Sequence, residues 1–187
     1  MNKTHKSSKV YVFAAQGLEE IECLTQVDLL RRGGVEVVLT AVGGNQTITG
    51  SHEIVMQADA RIEDVDLSDA DALVLPGGMP GTTHLGENSI VCKQCTAFAA
   101  DKYVAAICAA PSVLAGLGLL VGKHATCHPA VEEKLSGAIV TGEPVTVDGN
   151  IITGQGLGAG IPFALKLVEI LTGKETADRI AAAICAK

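Results

Sequence analysis

Cys108 sits in AAICAAP, inside a stretch from Tyr103 to Gly122 that carries no charged side chain. A thiol there can be a small core residue, a metal ligand, half of a disulfide or a nucleophile. Its flanks match the needs of the nucleophile elbow G-x-S-x-G. Ala106 and Ala110 stand two before and two after it, where a strand turning sharply into a helix leaves room only for small residues. Pro111 suits the first turn of the helix that follows. A thiol at such a turn lies near a helix N-terminus, whose dipole and free N–H groups favour thiolate. The N–H of Ala109 and those around Gly77 and Gly78 are placed to bind a developing oxyanion. The pattern alone leaves nucleophile and buried core cysteine both open.

Glu22 is the acid best placed to serve that thiol. At 100° per residue it shares a helix face with Leu18, Ile21, Thr25 and Leu29, while Glu19 and Glu20 point elsewhere. Held against apolar surface, its pKa would rise, letting it donate to a thiolate and shuttle protons. The alternative is a solvated glutamate, because Cys23, Leu24, Val27 and Leu30 form a second apolar side of the same helix. Two apolar sides suggest one for the sheet and one for another subunit.

Other chemistry-bearing spacings are weaker. Cys92 and Cys95 form a CxxC, and Cys127-His128 could complete a zinc site. Zinc ribbons carry such pairs in loops, however, and IVCKQCTAFAA reads as a helix. The run from Gly154 to Ala159 matches G-x-G-x-x-A, but no later strand is left to carry a ribose-binding acid, so a turn giving close backbone approach is expected instead. No P-loop motif occurs. His124 and His128 flank a short ATC segment and read as structural on their own.

The elements that must position these groups are legible. KVYVFAA, VEVVLTAV, ADALVLPGG and YVAAI are short apolar strands, and helical segments follow at LEEIECLTQVDLLRRGG, Ser89 to Ala100 and PSVLAGLG. VTVDGNIITG reads as two strands about Asp148-Gly149, and two helices close the chain. Such alternation indicates an α/β sandwich on a mostly parallel sheet, with ligands beyond the carboxyl ends of its strands. Gln16-Gly17-Leu18, Pro76-Gly77-Gly78 and Cys108 should therefore cluster.

Composition narrows the class. The 187 residues are 48 % hydrophobic and 19 % charged, which fits one folded domain over 1–187, with residues 1–8 as a loose tail. A net charge of −7 without a Lys/Arg run argues against nucleic acid or an anionic membrane surface as partner. Tyr103 to Gly122 is long enough to span a bilayer, yet Pro111 interrupts it, and a soluble chain is expected. Six cysteines without a signal peptide suggest a reducing, cytoplasmic setting and no disulfide framework.

KVYVFAAQGLEEIE, DLLRRGGVEV, ALVLPGG, AAICAAP, CHP and ITGQGLGAG…FALKLVEIL occur in an order that closely resembles the ThiJ/PfpI superfamily, in its DJ-one branch, over about residues 9–185. The resemblance implies a flavodoxin-like three-layer sandwich and a homodimer. It implies a reactive Cys108 hydrogen-bonded to a protonated Glu22, with Gly78 and Ala109 at the oxyanion site and His128 nearby. It also implies cofactor-free activity: converting glyoxal or methylglyoxal to hydroxy acids, or removing early glycation adducts from proteins. A redox-sensing or chaperone role through oxidation of Cys108 is the competing implication. Two departures stand out. Peptidase-like members place a histidine directly after the nucleophile, where this chain has Ala109, and relatives often carry arginine where it has His52.

Overall fold

The computed structural model describes residues 7–186. The chain runs β1 (Lys9–Ala15), α1 (Glu20–Arg32), β2 (Glu36–Val42), β3 (Thr47–Thr49), β4 (Val55–Gln57), β5 (Ala60–Arg61), β6 (Ala72–Leu75), α2 (Gly81–Glu87) and α3 (Ser89–Phe98). It continues through β7 (Tyr103–Ile107), α4 (Pro111–Gly116), β8 (His124–Ala125), β9 (Ile139–Val140), β10 (Val145–Asp148), β11 (Ile151–Gly154), α5 (Gly160–Thr172) and α6 (Lys174–Ala183).

Alternate side chains of the central strands enter two separate cores. Val10, Val12 and Ala14 of β1 face one, and Tyr11, Phe13 and Ala15 face the other. β6 divides the same way, Ala72 and Val74 against Leu73 and Leu75. A strand apolar on both faces needs cover on both. Leu30 of α1, Phe163 and Leu167 of α5 and Ile180 of α6 supply one cover; Leu85 of α2, Phe98 of α3 and Leu114 of α4 supply the other.

The main sheet has seven strands in the order β10-β11-β7-β6-β1-β2-β5, all parallel except the β10–β11 pair. This is a flavodoxin-like three-layer sandwich. Chain order reverses at β1, so the carboxyl ends of β1 and β6 open side by side at the switch point, where ligands bind in such sheets.

The uncharged stretch from Tyr103 to Gly122 is a strand, a turn and a short helix, as its sequence reads, and no helix among the described residues is long and apolar enough to cross a membrane. Other expectations change. The helix α2 and the hairpin β3–β4 lacked a periodic signal because both are short. Most of the expected tail lies outside the described residues; its last member, Ser8, is held, its carbonyl accepting the N–H of Glu36 at 2.8 Å. On α1, Ile21 is 50 % exposed while Glu20 is buried, so the face assignment for these two residues is reversed. Helix periodicity alone could not say which apolar side meets the sheet.

Candidate active site

Cys108 occupies the turn between β7 and α4 with φ +64°, a left-handed conformation that costs energy in any residue but glycine. The turn is fixed from both sides. The N–H of Cys108 donates to the Gly154 carbonyl at 2.9 Å, and its own carbonyl accepts the N–H of His128 at 2.9 Å. Ala109 and Ala110 are buried, as close packing behind the turn requires.

Glu22 comes from the first turn of α1 and is 1 % exposed. Glu19 caps that helix, its Oε2 accepting the Glu22 N–H at 2.6 Å. The Glu22 carboxyl is anchored by the N–H of Gly77, 3.1 Å from Oε2, and stands within hydrogen-bonding reach of the Cys108 thiol. Gly77 has to be glycine: a Cβ there would come within 2.6 Å of both Cys108 Cβ and Glu22 Oε2. The N–H groups of Gly78 and Ala109 lie near enough to the Cys108 sulfur to favour its thiolate. Of the three N–H groups expected to bind an oxyanion, that of Gly77 donates instead to Glu22.

Burial lifts Glu22 to about 7, helped by the charge of Glu19 and opposed by the thiol and the Gly77 N–H. Burial and then the facing Glu22 carboxylate push the Cys108 thiol up to about 12, outweighing the pull of the Ala109 and Gly78 N–H groups. The Ala109 and Gly78 N–H groups act in the direction expected of a helix N-terminus, and burial acts against them. The pair therefore holds two protons below about pH 7 and one above it.

A cavity of about 580 Å³ opens onto this pair, lined by Glu19, Glu22, Cys108, His128, Gln155 and Gly156 among others. His128 is thus brought to the site, but its Nδ1 accepts the Ala130 N–H at 3.2 Å, and its ring forms no hydrogen bond to the thiol. Gly156 belongs to the glycine-rich turn after β11, and a Cβ there would lie 4.0 Å from Cys108 Sγ, so the turn forms a wall of the cavity. The CxxC does not join it. Cys95 is core, and Cys92 Sγ on α3 donates to the Gly86 carbonyl of α2 at 3.1 Å. What the sequence missed is Glu19: it read as pointing away from the Glu22 face, yet it is buried, caps α1 and lines the cavity. Its place directly before the helix was the signal available.

The DJ-1/PfpI family model matches residues 8–170. The chain is 35 % identical to Protein dj-1beta of Drosophila melanogaster over 94 % of its own length and 95 % of that protein's. It is 30 % identical to the Glutathione-independent glyoxalase DJR-1.2 of Caenorhabditis elegans, covering 96 % of this chain and 97 % of that one. Among solved structures, oxidized Toxoplasma gondii DJ-1 superposes with a TM-score of 0.92 at 35 % identity, covering 96 % of this chain and 98 % of that one. With the sheet, the cysteine turn and the glutamate facing it, these similarities establish that the chain belongs to the DJ-1/PfpI family.

Proposed function

We propose that the protein is a cysteine-dependent enzyme acting on small reactive dicarbonyls, converting glyoxal or methylglyoxal to the hydroxy acid. The observation that carries this reading is the buried Glu22 carboxyl beside the Cys108 turn, the two packed around Gly77 and lining one cavity. The glyoxalase name of the Caenorhabditis elegans relative supports it.

The sulfur adds to the aldehyde carbon, and the carbonyl oxygen becomes the oxyanion of a hemithioacetal, turned toward the N–H groups of Gly78 and Ala109. The aldehyde hydrogen then leaves as a proton to Glu22 and returns to the neighbouring carbon, leaving a thioester of the hydroxy acid. Glu22 is able to do both because its pKa lies near neutrality. Water cleaves the thioester, releasing the acid and restoring the thiol. The sum is one dicarbonyl and one water giving one hydroxy acid. An early glycation adduct on a protein thiol or amine is a hemithioacetal or hemiaminal; once its C–S or C–N bond breaks to return the free thiol or amine and the dicarbonyl, that dicarbonyl enters the same sequence, which makes such adducts the second substrate class for this site.

Assembly is part of the reading. Ile21 and Leu24 on α1, Ile54 before β4 and Ile161 on α5 leave apolar side chains exposed. They support a homodimer that covers this side of α1.

Purified protein incubated with methylglyoxal should form lactate, and Cys108→Ala should reduce the rate to background. Full activity in Cys108→Ala, or no product from any small dicarbonyl or glycated thiol, would overturn the enzyme reading and favour oxidation of Cys108 as the function.

A further inference from the structure

The cavity at the thiol carries charge of one sign. Glu19 and Glu22 line it together with Cys108, and no lysine or arginine among the described residues does; His128 is the one lining residue able to turn positive. Glu22 faces the thiol, but Glu19 has no cation to itself. No lysine or arginine among the described residues pairs with it, and His52, 4.0 Å from its Oε1, is held closer by Glu20, at 3.0 Å.

Glu19 is also fixed in place. Its N–H donates to the Gly77 carbonyl at 2.9 Å, and a side chain at Gly78 would collide with its nitrogen. Its Oε2 accepts the Glu22 N–H at 2.6 Å, and its side chain is 11 % exposed. The glycine segment that borders Cys108 thus pins the backbone of Glu19, and the helix start pins its carboxylate. Beyond burial, the larger cause, its charge helps to raise both Glu22 and the Cys23 thiol. A fixed anion in the wall of a cavity disfavours any ligand of like charge.

We propose that Glu19 is a specificity-determining residue of this cavity, admitting neutral carbonyl compounds to Cys108 and turning away anionic ones of the same size. On the dicarbonyl reading, on which this rests, glyoxal and methylglyoxal enter neutral, whereas 2-oxo acids arrive as anions. The hydroxy acid formed is an anion as well, so the charge that spares the substrate hastens departure of the product. Selection by an unfavourable contact with the wrong ligand needs no added contact to the right one.

The test needs no turnover. Iodoacetamide and iodoacetate are nearly alike in shape and differ by one negative charge. With either, the thiolate sulfur forms a C–S bond as the C–I bond breaks and iodide leaves. Rates at Cys108 and at the exposed Cys185 of the same chain are read by peptide mass spectrometry at pH 8. The amide-to-acetate rate ratio cancels the thiolate fraction of each cysteine, so it reports discrimination by charge. At Cys108 that ratio should exceed the Cys185 ratio by about tenfold or more. Glu19→Gln, and Glu19→Ser as a second neutral variant that still caps α1, should each remove most of the excess, and Glu19→Asp should keep it. A merely structural role would change the rates of both reagents together and leave the ratio where it was. Equal ratios at Cys108 and Cys185 in the parent, an excess that survives both neutral variants, or one that Glu19→Asp loses would each overturn the proposal. A protein that forms no lactate yet keeps the excess would lose the enzyme reading, while the charge selection at Cys108 would stand.

Discussion

Glu20 and Glu22 stand two residues apart on one helix, are each 1 % exposed, and move in opposite directions. Burial would raise both. For Glu20 that effect is overcome by hydrogen bonds from the side chain and backbone of His52 and from the Ile54 N–H, and its carboxyl is held below the usual range. Glu22 has one backbone donor, a thiol and the nearby charge of Glu19, so burial prevails and lifts it to about 7. The donors aimed at a carboxylate, and not its burial alone, decide whether it becomes a fixed anion or an exchangeable acid. One helix turn carries both: a structural carboxylate that ties down a loop, and one that can move a proton.

Catalysis should separate the two most widely. Glu22→Gln keeps the shape but removes the titrating proton, and should lower kcat/KM for methylglyoxal by about 10²-fold or more. Glu20→Gln should stay within about tenfold, since it touches no reacting atom. Equal losses in the two variants would show that the first turn of α1 acts only as scaffold.

Stability should separate them in sign. Glu22 has a folded pKa of about 7 against 4.5 for the unfolded chain, so its folded state holds the proton more tightly. Its contribution is present in full below pH 4.5 and is lost as pH rises through 7. Glu22→Gln should therefore gain on the order of 2 kcal/mol over the parent at pH 8 and little at pH 4. Glu20 is the reverse case: its lowered pKa contributes stability above the unfolded value that is lost on acidification. Glu20→Gln should cost about 1–3 kcal/mol at pH 8, less toward acid, because charge-assisted bonds to a buried carboxylate are weakened. Urea melts of both variants at the two pH values read this directly, and matching shifts would break the contrast.

The rate should follow the same pair. Above about pH 7 the Cys108–Glu22 pair holds one proton and one negative charge, and below it both groups are protonated. The kcat/KM of the parent should rise with pH through about 7 and then level, and Glu22→Gln should lose that limb. A limb unchanged in the variant would assign it to another group. The smallest effect is expected at His128, whose ring makes no bond to the thiol: His128→Ala should cost less than about tenfold in kcat/KM.

The sequence by itself determined the sandwich and the turn at Cys108. Alternating strands such as KVYVFAA show their period regardless of what they meet, because a strand apolar on both faces can only lie between two layers. Small residues around Cys108 mark a tight turn for the same local reason, and the turn is there. Only the tertiary structure decided which groups face one another. Helix phase placed Glu22 beside Ile21, and packing left Ile21 in solvent while burying Glu19 and Glu20. The Gly77 N–H read as an oxyanion donor until β6 brought it to Glu22. His52, more than thirty residues beyond Glu20, gave no local sign of its partner. Periodicity and turn chemistry act over a few residues and are written in order along the chain. The charge on a buried group depends on donors that arrive from distant segments, and these come into place only when the sheet and the β3–β4 loop have closed.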